Sequence, residues 1–335
     1  MLTTRLCDLL GITHPVVLGG MALGTNPDLV AAVSDAGGLG TLGGCADRSP
    51  ESIAELAAGI RELTDAPFGM NLLLFRVDET DERPTSPLQA VLRTRPAVLA
   101  TAWARADQDL SPVFADAHEA GCLVMHMVST VAEADRAVAA GADVIVAQGS
   151  EGGGHVGLVG TIALVPMVAR AVAPVPVVAA GGLADGAGLA AALMLGAEGA
   201  LFGTRFLATV EASVPDSYKQ AIVESDGHHT VLTELPDVAA ATVWPGAYAR
   251  VERNHFIDSW LGREGELRLR QREVGDQVWA ALRRGDMSGA PVYLGQSAGL
   301  VTAVEPAARV VERIVAEATE RLHRRAFAAD GPVPD

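Results

Sequence analysis

Lysine is almost missing from this chain: Lys219 is the only one among 335 residues. Imine chemistry needs an amine at the site, and Lys219 falls outside the run of buried segments described below, which argues against a Schiff-base enzyme. The 25 basic residues are outnumbered by 41 acidic ones, for a formal net charge of −16. That balance argues against a nucleic-acid or anionic-membrane partner but leaves room for a small anionic ligand in a locally different field. Cysteine is scarce too. Cys7, Cys45 and Cys122 form no metal-ligand spacing and no disulfide framework, so a reducing cytoplasm is expected. No apolar run of spanning length is free of Gly, Pro or charge, and the first ten residues lack the apolar core of a signal peptide, so a soluble protein is expected. The eight histidines show no H-x-x-x-H spacing, and there is no G-x-x-x-x-G-K-[ST] loop, which disfavours a metal centre and ATP. Aromatic residues make up only 4% of the chain.

What fills the chain instead is Ala, Val, Leu and 36 glycines. Short apolar runs begin near Pro15, Gly38, Phe68, Ala97, Leu123, Val144, Val175 and Ala200. They are too short and too uniformly apolar for amphipathic helices and fit strands buried on both faces. Helical segments lie between them: Asn26-Pro27 opens Asp28–Ala36, Ser49-Pro50 opens the next, and Thr130 caps Val131–Ala140 before Gly141. Strand starts 21 to 31 residues apart have the length of βα units, and eight in succession predict a (β/α)8 barrel over residues 1–208 and 290–326. An open doubly wound sheet would place G-x-G-x-x-G after its first strand, and Gly19-Gly20-Met21-Ala22-Leu23-Gly24 does not match it. Residues 209–289, with Trp244, Trp260 and Trp279 and no buried-strand signal, read as a mostly helical insertion covering the site. A closing helix over Pro306–Arg325 and a frayed tail at Asp330–Asp335 complete the reading.

Barrel enzymes build their sites from the loops that follow the strands. Here those loops carry Gly19-Gly20-Met21, a small-residue bend for a flat ring, then Asn71, then His126-Met127-Val128-Ser129. Strand 6 leads into Gln148-Gly149-Ser150-Glu151-Gly152-Gly153-Gly154-His155, three consecutive glycines beside an imidazole able to carry a proton near neutral pH. Strands 7 and 8 end in Gly181-Gly182 and Gly203-Thr204, residue types suited to a phosphate held by backbone amides. Amide side chains for a ring edge, glycines for a phosphate and one histidine match flavin mononucleotide, FMN. His228-His229, in the insertion, reads as a surface pair.

Five segments in order resemble the nitronate monooxygenase family, FMN-dependent TIM barrels: Ala31-Ala-Val-Ser-Asp-Ala-Gly-Gly-Leu-Gly40, Pro67-Phe-Gly-Met-Asn71, Gln148 to His155, Pro176 to Gly186, and Gly203-Thr-Arg-Phe206. The resemblance implies flavin contacts from Gly20, Met21, Asn71, Gln148, Gly153 and Gly154, and a phosphate site at Gly181, Gly182, Gly203 and Thr204. It also implies a catalytic role for His155 and a flavin-edge contact from Gln296 in Leu-Gly-Gln-Ser-Ala-Gly-Leu300. The chain departs from the family where many members carry Ala-Pro-Met, having Gly19-Gly20-Met21, and where some reductases carry lysine, having Met127. The implied activity is oxidation of alkyl nitronates by O2 to a carbonyl compound and nitrite, with a homodimer as a further expectation. The alternatives are an NAD(P)H-dependent FMN reductase of enoyl thioesters or quinones, and a non-redox barrel that binds a sugar phosphate.

Overall fold

The computed structural model describes residues 2–327 apart from Glu79, Thr80, Glu82 and Pro84. The tail expected at Asp330–Asp335 lies outside the described residues. Eleven strands follow in chain order: β1 Val16–Leu18, β2 Gly40–Leu42, β3 Phe68–Leu73, β4 Val98–Ala102, β5 Leu123–Val128, β6 Val144–Gln148, β7 Gly154–Val156, β8 Val177–Ala180, β9 Gly199–Phe202, β10 Thr230–Thr233 and β11 Tyr248–Glu252. Eight of them form one parallel sheet in the order β1-β9-β8-β6-β5-β4-β3-β2. The ring closes where Leu39, just before β2, bridges Val17 of β1: Leu39 N donates to Val16 O at 2.9 Å and Leu18 N donates to Leu39 O at 2.9 Å. Helices alternate with these strands, so the chain is a (β/α)8 barrel.

Side-chain alternation along each strand divides the core in two. Inward residues Val17, Val98, Ala100, Met125, Val144, Val146 and Val178 form one buried cluster, joined by Leu6, Cys7 and Leu10 of the helix Arg5–Leu10. That helix therefore plugs the N-terminal end of the barrel. Outward residues such as Leu18, Leu72, Val124 and Ile145 join the helices in a second, larger cluster. Helix starts follow the caps expected from sequence: Asn26 and Ser49 accept from Leu29 N and Ser52 N, and Thr130 with Glu133 forms a capping box. The closing helix, Ala307–Phe327, packs on Gly186–Met194, where Glu317 accepts from Gly186 N at 3.1 Å. A Cβ on Gly186 would lie 2.4 Å from the Glu317 Cβ, so only glycine allows that approach.

The segment 209–289 is not free of strands. β10 and β11 pair antiparallel, and β11 pairs antiparallel with β7, making a three-stranded sheet. The central residues of β11, Ala249, Arg250 and Val251, are buried. A charged residue in the middle of that strand hid it, because Arg250 reads as a surface position until its partners are seen. Nε of Arg250 donates to Ser150 O and Nη1 to Thr230 Oγ1, each at 2.8 Å. Leu235, Val238, Phe256, Ile257, Trp260, Leu267 and Val274 give this segment a small core of its own. His228 and His229 are exposed, as expected of a surface pair.

Candidate active site

At the C-terminal ends of the barrel strands lies a cavity of about 440 Å³. That is the volume range of small-molecule and cofactor sites. Eleven of the twelve residues singled out from sequence line it: Gly20, Met21, Asn71, Gln148, Gly153, Gly154, His155, Gly181, Gly182, Gly203 and Thr204. Gln296 does not. It is exposed at the start of the 3₁₀ turn Gln296–Leu300, and its neighbours Gly295 and Ser297 face the cavity in its place.

The floor is made flat by close backbone packing. A Cβ on Gly20 would come within 2.6 Å of the Asn71 Cβ, and one on Gly153 within 2.5 Å of the Leu294 carbonyl carbon. Gly181 and Gly182 sit at φ +94° and +73°, conformations that side chains other than glycine rarely adopt. The backbone amides of Gly182 and Gly203 make no hydrogen bond among the described residues, and both residues border the cavity. The Thr204 hydroxyl accepts from Gly295 N at 2.9 Å and keeps its own hydrogen for another acceptor. Two buried polar atoms on cavity residues also lack protein partners: Gln148 Oε1 and Thr41 Oγ1. Buried polar atoms are seldom left unpaired, so these two could receive a polar ligand group. Free amides and orphaned side-chain groups around one cavity fit a phosphorylated, flat, hydrogen-bonding group, as flavin is.

His155 is held from three sides. Its strand, β7, is registered against β11 with His155 opposite Ala249. Nε2 lies 2.8 Å from Asp237 Oδ1, with only 11% and 10% of the two side chains exposed. The imidazole stacks on Trp244 with ring centroids 3.4 Å apart and an interplanar angle of 8°. Nδ1 has no hydrogen-bond partner among the described residues. The loop that presents this strand is braced by Glu151, whose carboxylate accepts from both Thr161 N and Thr161 Oγ1. Around the pair stand Phe75 and Trp103, each packed on Trp244, and Tyr293, whose ring centroid is 6.1 Å from that of His155. Trp103 holds the left-handed conformation, φ +57°, a strained state of the kind that collects at functional sites. Burial, reinforced by the nearby Asp237 charge, pushes the Tyr293 phenol far above its ordinary value, so it stays protonated.

Asp237, Trp244, Thr41 and Tyr293 were not legible as site residues. Asp237 lies 82 positions from His155 in a short helix, Leu235–Ala239, and no local spacing connects them. The only trace was a lone acidic residue between apolar neighbours in Leu235-Pro236-Asp237-Val238. Among the described residues, no group of three or more His, Cys, Asp or Glu is placed to hold a metal ion. Nor is any described helix long and apolar enough to cross a membrane.

Barrel, glycine-rich rim and buried histidine define an oxidoreductase barrel of the flavin-dependent class. The chain belongs to the nitronate monooxygenase family, whose model matches residues 3–317. It is 32% identical to the (3aS,4S,5R,7aS)-5-hydroxy-7a-methyl-1-oxo-octahydro-1H-indene-4-carboxyl-CoA dehydrogenase of Rhodococcus jostii, over 96% of this chain and 97% of that protein. Among solved structures, FabK from Thermotoga maritima superposes with a TM-score of 0.84 at 34% identity, covering 98% of this chain and 100% of that one. The nitroalkane oxidase of Streptomyces ansochromogenes superposes with a TM-score of 0.79 at 29% identity, covering 96% and 99%. Membership makes this chain a flavin-dependent oxidoreductase.

Proposed function

We propose that the protein binds FMN and oxidises small nitro carbon acids, nitroalkanes and their nitronates, with O2 as oxidant, to a carbonyl compound and nitrite. The observation that carries this reading is His155, a residue of the largely apolar cavity with one unpartnered ring nitrogen, beside a flat glycine floor. Gly181, Gly182, Gly203 and Thr204 would hold the phosphate; Gln148, Asn71 and Thr41 the polar ring edge; Gly20, Met21, Gly153 and Gly154 the ring faces. Bound FMN supplies the electron acceptor and the relay to O2.

The chain's own residues would do the rest. His155 Nδ1, as a lone-pair acceptor, takes the α-proton of a neutral nitroalkane; with a ready-made nitronate the protonated ring holds the anion. Apolar walls from Met125, Met127 and Leu201 would keep water off the reacting carbon, and Trp244 and Trp279 of residues 209–289 line the same cavity. The name of the Streptomyces relative, a nitroalkane oxidase, supports this reading. Three free, buried cysteines accord with action in a reducing cytoplasm.

The test is a spectrum followed by a nitrite assay. Purified protein should be yellow with an FMN spectrum and should release nitrite from nitroethane or propionate 3-nitronate in air. A colourless sample that gains nothing on adding FMN would remove the cofactor, and a yellow sample that releases no nitrite would remove the substrate class.

A second reading is redox chemistry on an acyl thioester. The Rhodococcus relative's name, a carboxyl-CoA dehydrogenase of a fused-ring substrate, supports it. Anaerobic bleaching of the flavin by NADH or NADPH, or by a saturated acyl-CoA, favours this second reading.

A further inference from the structure

We infer that Asp237 is the positioning residue of the base: it holds His155 in the tautomer protonated on Nε2, so that Nδ1 alone meets the substrate. This deepens the reading of His155 as base and rests on it.

The geometry leaves the ring little choice. An ionised carboxylate offers only acceptor sites, so the ring nitrogen 2.8 Å from Asp237 Oδ1 carries the hydrogen. The lone pair is then on Nδ1, which has no competing donor among the described residues. Flipping the ring half a turn in its plane on Trp244 would lose the Nε2 bond to Asp237. In the proton transfer the substrate C–H bond breaks and an Nδ1–H bond forms. The electron pair stays on the carbon, delocalised into its nitro or carbonyl substituent, and the Nε2–H remains with Asp237. Positive charge then appears on a ring with a carboxylate at its edge and an indole face against it, both of which stabilise the imidazolium. Asp237 itself takes no proton.

The other ionisable groups on the packed elements have different tasks. The Tyr293 hydroxyl stays protonated beside Asp237. The Tyr218 hydroxyl donates to Tyr293 O at 3.0 Å and accepts from Tyr293 N at 2.6 Å. On β11, Arg250 is turned to Ser150 and Thr230. Since Asp237, Trp244 and β11 all come from residues 209–289, that segment supplies all three contacts that fix the base.

The test uses the FMN-loaded protein with ¹⁵N-labelled histidine. Long-range ¹H–¹⁵N spectra at neutral pH should show His155 carrying its hydrogen on Nε2 in the wild type. In Asp237→Asn the side-chain amide presents either a donor or an acceptor, so the ring should become a mixture of tautomers. That variant should lose about 100-fold in kcat with KM little changed, and Asp237→Glu should recover part of it. A wild-type hydrogen on Nδ1 overturns the inference, and so does an Asp237→Asn protein with unchanged tautomer and kcat. If Asp237→Asn does not fold, the wild-type spectrum still decides. If the Nε2–H tautomer is found but neither nitro compounds nor thioesters are turned over, the reaction assignment fails while the role of Asp237 stands.

Discussion

His155 and Trp244 lie face to face, ring centroids 3.4 Å apart and planes within 8° of parallel. Trp244 sits between Ala241 at φ +58° and Gly246 at φ +68°, two left-handed bends that turn a short loop over the histidine. Replacing Trp244 with Ala removes the stack, worth about 0.5–1.5 kcal/mol, and frees the ring to rotate. Turnover should fall roughly tenfold, while Trp244→Phe should retain most of it. Equal kcat in the Ala variant would show that the indole does not hold the ring.

His155→Asn keeps a polar side chain at the cavity wall but removes the base. Nitrite release from neutral nitroethane should drop by about 10²- to 10⁴-fold, and release from pre-formed nitronate should drop less. Bound flavin, read from its visible absorbance, should be unchanged. If neutral and pre-ionised substrate suffer alike, His155 binds the anion and does not generate it.

Gly203 separates folding from cofactor binding. Its φ is −105°, and a Cβ there would meet only Met21 Sδ at 3.5 Å, so a side chain is tolerated by the fold. The side chain would project into the space assigned to phosphate. Gly203→Val should therefore keep the melting temperature of the FMN-free protein and weaken FMN binding at least about tenfold, the loss of about 1.4 kcal/mol. Undiminished affinity in a flavin titration would move the phosphate elsewhere.

His126 is fully buried on the outer side of β5, with Nδ1 2.8 Å from Thr101 Oγ1 and its ring against Phe114. Burial first, and then the Arg136 charge, lowers its pKa from 6.5 to about 3. The unfolded chain therefore binds a proton that the native state refuses between those values. Its contribution to stability is complete above pH 6.5 and is lost as pH falls from there towards about 3, with a slope approaching about 1.4 kcal/mol per pH unit. His126→Gln should flatten the acid limb of a denaturant-derived stability curve by up to one proton. An unchanged limb would assign it to other groups.

Leu6 is completely buried in the plug beneath the barrel. Leu6→Ala should cost about 2–5 kcal/mol of unfolding free energy while leaving FMN content intact, because the plug and the cavity lie at opposite ends of the strands. Loss of flavin at temperatures where the variant is folded would couple the two ends.

Much of the barrel was legible because its strands are buried on both faces, and continuous apolar runs such as Val144-Ile145-Val146-Ala147 have few other uses. The glycine positions were legible for a related reason: Gly20, Gly181 and Gly182 stand where backbone approach or a positive φ excludes other residues. What lay hidden depends on pairing across long stretches of chain. Arg250 disguised β11 as surface, and only the β7–β11 register brings the segment that carries Asp237 to His155. Thr41 was silent because a buried threonine in a strand is ordinary until its hydroxyl is found without a partner. Gln296 is exposed at its turn, and its neighbours Gly295 and Ser297 line the cavity.

Lys219, the chain's only lysine, is 6% exposed and its ammonium donates to Val210 O at 3.0 Å. The outer surface therefore offers no lysine amine for acetylation, ubiquitin transfer or carbodiimide coupling. Trypsin would open the folded chain only after arginine, and any reagent that modifies a lysine here reports local unfolding around the helix Asp216–Glu224.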